Sequence, residues 1–442
     1  MKRDSSRSIG RRARAAAALL AVLGLAWGLT YGLTSQPAGA SGLTLQESLP
    51  NNHPVSNPGG HAATFSTQGS VNLTGEYFQA QGTNGRSCAS CHRPEEAWSV
   101  NPGTLQRLFD ETEGKHPVFN ELDANNPDVI DNDSTVQELR AAYSMLLSRG
   151  VFRRGGAPRA NSQWELVAVE DPHGYANLNR LVHWRRSMPT INFAQGSAIV
   201  NWDGGNSVLV NGVFDQHAGL INQARRNVTG GQQGPAASDE VINDIVNFEL
   251  SLSTAQLVVP GVGRLDSDGA RGGPEALSSM PKEAGRFDLF DAWAGDENPR
   301  RAQIARGQEL FNATNEGGGS CVACHNSKNN GTNVSDRLFD VRTASAEART
   351  PDLPLYTFKL RGSDPPVYKL LTDAGRGQVT GLWNDLGRFK TPTLRALAAR
   401  APYFHNGIAL TLDDVVRHYE THLGFVFTDQ ERADLVAFLK AL

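Results

Sequence analysis

The sequence predicts a mainly α chain, with two helical units of unequal size, long loops, and the N-terminal unit enlarged. Three observations lead there. All four cysteines fall in two copies of one pentapeptide, Cys88-Ala89-Ser90-Cys91-His92 and Cys321-Val322-Ala323-Cys324-His325. Apolar residues recur at helical spacing in 134–148, 240–252, 300–311 and 428–442. The 45 glycines and 22 prolines in 442 residues suit long connections between short helices, as where a bound group organises the core.

The pentapeptide is Cys-x-x-Cys-His, the attachment signature of c-type haem. Two thiols at that spacing each form a thioether with a haem vinyl group, and the next histidine is held beneath the iron. The readings are therefore two covalently bound haem c groups, attached through Cys88, Cys91, Cys321 and Cys324, with His92 and His325 as iron ligands. The units become cytochrome c-like haem domains. A zinc knuckle fits poorly because the two pairs are far apart, and a redox dithiol does not need the histidine twice.

The N-terminus agrees. Six basic residues against Asp4 open the chain, an apolar run follows from Ala15 to Leu33, and Ala38-Gly39-Ala40 reads as a cleavage site. Residues 1–40 are expected to be a signal peptide directing export to the periplasm, where haem attachment to c-type cytochromes takes place. An uncleaved anchor is the alternative. A formal net charge of −4 points away from nucleic acid as a partner.

Residues 41–70, rich in Ser, Asn, Pro and Gly, read as a flexible arm. The N-terminal haem domain is expected over 71–262, a Gly/Pro/Asp-rich linker over 263–299, and the C-terminal cytochrome c domain over 300–442. The last helix opens on a capping box of Thr428 and Glu431. Met188-Pro189-Thr190-Ile191 and Thr391-Pro392-Thr393-Leu394 each follow a haem motif and mark a faint internal repeat.

Arg306-Gly307-Gln308-Glu309-Leu310-Phe311, the run from Phe389 to Gly407 (FKTPTLRALAARAPYFHNG) and TLDDVVRHYE from Thr411 resemble the bacterial di-haem cytochrome c peroxidase and MauG family. The likeness is weaker over the N-terminal half, where Trp202-Asp203-Gly204-Gly205 is similar to a Trp-Asp-Gly-Arg element and Leu220-Ile221-Asn222-Gln223-Ala224 to a Leu-x-x-Gln-Ala element. The resemblance implies an electron-handling haem at the C-terminal motif and a reactive haem at the N-terminal one. It places the second ligand of the C-terminal haem fourteen residues after His405, at Tyr419, as in MauG; His418 and His422 are its rivals. A methionine ligand is excluded locally, since Met1, Met145, Met188 and Met280 all precede the second motif.

At the N-terminal haem the family's acid is missing. Ala224 to Pro235 contains no carboxylate, and Gln233 stands near its place. His217, Gln223 and Trp202 are the candidates for catalysis: His217 as a replacement for the acid or as a sixth ligand, Trp202 as an electron-hopping indole or a packing aromatic. His116 and His173, each beside a proline, read as turn residues. The resemblance also implies a calcium ion between the domains, held by Asn192 and the carbonyls of Arg400 and Pro402.

The leading functional expectation is a periplasmic di-haem oxidoreductase reacting with hydrogen peroxide or O₂, with a small redox protein as electron donor or acceptor, and dimerising as many relatives do. A RoxA-type haem oxygenase acting on an apolar substrate is the second. A non-enzymatic electron carrier with both irons saturated is the third.

Overall fold

The four helical patterns are present where the sequence places them. The computed structural model describes residues 47–442, so the signal peptide over 1–40 and the first residues of the arm lie outside the described residues. Helix α1, Asp239–Ser251, is capped by the Ser238 hydroxyl, which accepts from the Val241 amide. Its apolar face (Ile242, Ile245, Val246, Phe248) packs on Tyr77, Trp98 and Leu220 beside the first haem motif. The pattern over 134–148 forms two helices, Val136–Ala142 and Ser144–Arg149, broken at Tyr143.

Helices α2, Pro299–Asn312, and α3, Asp429–Ala441, cross at Gly307. A side chain there would put its Cβ 2.0 Å from the Asp434 carbonyl, so only glycine allows the approach. Arg306 forks onto the Asp434 carboxylate across the same crossing. The Thr428–Glu431 capping box opens α3 as expected.

The described residues are not mainly α. They include fifteen short strands in six small sheets. The enlarged N-terminal unit contributes the strands Val151–Gly156, Trp164–Glu170 and Leu181–Arg186. Most are short or buried on both faces, as in Leu181–Arg186, and so show none of the alternation that reveals a half-exposed strand.

Two further expectations are corrected. From Ser48 onward the arm is built into the fold: Gly60–Ser66 pairs antiparallel with Leu252–Val259, with one register shift between Gln256 and Val258, and that strand continues directly from α1. The 263–299 segment is packed, with Leu265, Phe287, Phe290 and Trp293 fully buried in the core of the second haem motif beside Phe311 and Phe438. Its glycines and prolines serve turns within a core. Nor do the two halves stand apart, since Trp164–Glu170 pairs with Leu355–Leu360.

Candidate functional site

Both pentapeptides fold into the same turn. Cys88–Ser90 and Cys321–Ala323 are 3-10 turns in which the histidine amide bonds back to the first cysteine carbonyl, at 3.1 Å for His92 and 2.9 Å for His325. The four cysteines form no disulfide. Cys88 and Cys91 pack against two different apolar clusters, and Cys321 against the core of α2 and α3.

Each histidine has its Nδ1 against a backbone carbonyl, and Ser187 Oγ also lies 3.3 Å from His92 Nε2. His325 Nδ1 lies 2.6 Å from the Gly331 carbonyl, and His92 Nδ1 lies 3.2 Å from the Trp98 carbonyl and 3.0 Å from Ser187 Oγ. A carbonyl can only accept, so Nδ1 carries the proton and Nε2 is left with the lone pair an iron ligand needs. Burial lowers both imidazoles to about 4, which keeps them neutral. Burial also pushes the Cys91 thiol up to about 11 and that of Cys321 to about 12. Apolar-walled thiols at this spacing, beside a neutral histidine with its tautomer fixed, fit covalently bound haem at both motifs.

The two pockets differ in their other contents. At the second, Tyr419 on helix α4, Leu412–Leu423, is close enough to Cys321 and Cys324 that both act with burial to push its phenol up. His418 faces away, its Nε2 lying 2.8 Å from the Val341 carbonyl, and His422 packs beside it at 4.6 Å between ring centroids. Of the three rivals, Tyr419 is the one brought to the cysteines.

At the first pocket, His217 sits exposed on the helix Gln216–Arg226, while Gln223 on the same helix is half-buried. Gln233 is also exposed, its side chain accepting from Asn84. The acid missing from 224–235 has a counterpart in α1 that sequence reasoning passed over. Glu249 is buried, its Oε2 has no hydrogen-bond partner, and burial lifts its carboxyl to about 8. It lies near Tyr77 and Cys88, whose ionisations it opposes. In the pattern of α1 it reads as one polar residue among apolar ones, and only the tertiary contact with residues 77–88 distinguishes it.

Trp202 bridges the halves. Its indole Nε1 donates to the Arg186 carbonyl at 2.9 Å, its own carbonyl accepts from Lys390 N at 2.7 Å, and its ring stands edge-on to His405 at 6.3 Å. Arg185, buried, forks onto Asp373 from the other half and also pairs with Asp203, the residue after Trp202. His116 and His173 serve turns, His116 Nδ1 accepting from Val118 N and the His173 amide donating to Asp171.

The residues for the expected calcium ion do not fit one. Asn192 Oδ1 accepts from Thr254 N at 2.7 Å and its Nδ2 donates to Thr254 O, so the side chain is spent on the strand Leu252–Val259. The Arg400 carbonyl accepts from the Arg186 guanidinium at 3.2 Å, and Arg400 is itself a buried cation beside Pro402. A guanidinium already stands where a divalent ion would need oxygen ligands.

No family model matches the chain. A cytochrome-c peroxidase, IdrP1, of Denitromonas iodatirespirans is 34% identical over 172 residues, 35% of this chain and 44% of its own length. The methylamine utilization protein MauG of Methylorubrum extorquens is 28% identical over 273 residues, 58% of this chain and 64% of its own. Over part of its length the chain is similar to bacterial cytochrome c peroxidases and to MauG. It spans less than half the length of the peroxidase it matches. Among solved structures, a MauG-like protein associated with microbial copper homeostasis aligns over 90% of this chain and 94% of its own at 16% identity, with a TM-score of 0.40.

Proposed function

We propose that this protein is a periplasmic di-haem c-type oxidoreductase. Cys88, Cys91 and His92 would hold the haem that supplies chemistry with peroxide or O₂, and Cys321, Cys324 and His325 the haem that supplies electron exchange with a small redox protein. The observation that carries this reading is the inequality of the pockets: Tyr419 stands by the second pair of cysteines, and an unpartnered buried carboxyl, Glu249, stands by the first. When bound, the haems supply the redox chemistry.

The chain's own residues position and protonate. Ser187 and the Trp98 carbonyl orient the His92 ring. Glu249 remains neutral up to about pH 8 and so holds a proton at Oε1 or Oε2 next to the first attachment site. Trp202, tied by main-chain and side-chain bonds to both halves, is the aromatic bridge between the sites. The electron-carrier reading relied on His217 to close the first iron, and an exposed His217 gives it no support. No helix among the described residues is long and apolar enough to cross a membrane.

The test is peroxide-dependent oxidation of a reduced small c-type cytochrome by the purified holoprotein. Turnover that stops when peroxide is omitted supports the reading, and electron exchange with the cytochrome that ignores peroxide and O₂ contradicts it.

A further inference from the structure

Arg395, within the run from Phe389 to Gly407, is fully buried and carries two nitrogens that nothing among the described residues satisfies. Its Nε donates to the Asn329 carbonyl at 2.6 Å, while Nη1 and Nη2 have no hydrogen-bond partner. Among the described residues no carboxylate lies within ion-pair distance of it. The other buried arginines are provided for. Arg185 lies between Asp203 and Asp373, Arg186 donates to the carbonyls of Arg149, Arg400 and Ala401, and Arg400 donates to those of Thr393, Arg395 and Ala396.

A buried guanidinium with two open donors is costly unless an anion meets it, and its planar fork matches a carboxylate. Its place in the fold says which one. Asn329 belongs to the short loop from His325 to Gly331, and the Gly331 carbonyl fixes the His325 tautomer. Leu394, next to Arg395, donates its amide to Asn330 in the same loop and packs into the core that receives Cys321.

We infer that Arg395 binds a propionate carboxylate of the haem attached at Cys321 and Cys324, through its Nη1 and Nη2 donors. The inference rests on the di-haem reading and adds the residue that anchors and tunes the second haem. Burial by itself pulls the guanidinium down to about 9, and a paired propionate reverses that pull. A cation fixed beside the porphyrin favours the ferrous form, so Arg395 raises the potential that a tyrosinate ligand would lower.

The experiment uses the intact holoprotein, its R395Q and Arg395→Lys variants, and two readouts besides activity: a spectroelectrochemical titration of the second haem and its propionate-bending bands in resonance Raman. For R395Q the ratio of oxidised to reduced second haem at a fixed potential should rise about tenfold, equivalent to about 59 mV for one electron, and the bending band should move. Arg395→Lys retains the charge and loses the fork; it should move the band with a smaller change in ratio, and it serves if R395Q fails to accumulate. Unchanged ratio and band in variants whose mass shows two attached haems would overturn the inference while leaving the di-haem reading standing. A wild-type mass with no haem at Cys321 and Cys324 would instead overturn the reading beneath it.

Discussion

The two haem motifs share a pentapeptide and a turn but not their surroundings. At His325 the Nδ1 bond is short and runs to one carbonyl, with Tyr419 beside the cysteines. At His92 the Nδ1 contact is longer and shared between a carbonyl and the Ser187 hydroxyl, and the nearby acid, Glu249, has an oxygen without a partner. Both pockets therefore hold an unpartnered buried group, but of opposite kind: a cation, Arg395, at the second and a carboxyl able to carry a proton, Glu249, at the first. On the proposed reading, the motif sets where a haem would be attached, and the elements packed over it set what that haem would do.

The most severe way to break the comparison is to remove one site at a time. Replacing Cys88 and Cys91 with alanine should abolish peroxide consumption and leave the second haem's spectrum in place. The same change at Cys321 and Cys324 should leave peroxide binding and remove electron delivery from the cytochrome. Haem counts by mass and rapid-mixing spectra would check both.

Tyr419→Phe sharpens the contrast next. Loss of the phenolate should raise the potential of the second haem by on the order of 100 mV, part of the roughly 0.8 V range that axial ligands command, with no change at the first. Equal movement of both potentials would remove the distinction between the pockets.

Glu249→Gln acts on the other side of the comparison. A general acid contributes about 10²-fold or more, and a loss of that size in the peroxide reaction, with the second haem's potential unchanged, is expected. The pH dependence has a definite sign. Folding raises this carboxyl from the ordinary glutamate range to about 8, so the native state binds the proton more tightly than the unfolded chain does. Its stabilising contribution is complete below the unfolded pKa and is lost as pH rises through about 8. Wild-type Tm should fall across that window, and the Gln variant should lack that part of the fall.

The smallest effect concerns the junction between the halves. With Arg186 donating to the Arg400 carbonyl, prolonged treatment with a calcium chelator should leave the haem spectra and Tm unchanged. A chelator-induced change reversed by calcium would show that the junction holds an ion.

The turns of the two pentapeptides and the long helices were legible in the sequence because each is a local pattern: a five-residue motif, a capping box at Thr428 and Glu431, a 3.6-residue stripe. Tyr419 was legible as one of three rivals, and the contact of His418 Nε2 with the Val341 carbonyl was not. What escaped depends on residues distant in sequence. Glu249 gains its character from residues 77–88, and Arg395 from the loop after His325. The strands Gly60–Ser66 and Leu252–Val259 pair across nearly two hundred positions. His217 shows the converse: it neighbours the right motif in sequence, and its helix turns it outward.

Electron paramagnetic resonance of the fully haem-loaded ferric protein, before and after hydrogen peroxide, tests the inequality of the two sites most directly. One high-spin signal lost on peroxide, beside a low-spin signal that Tyr419→Phe alters, is the expected result. Two low-spin signals indifferent to peroxide would contradict it and leave a protein that only carries electrons.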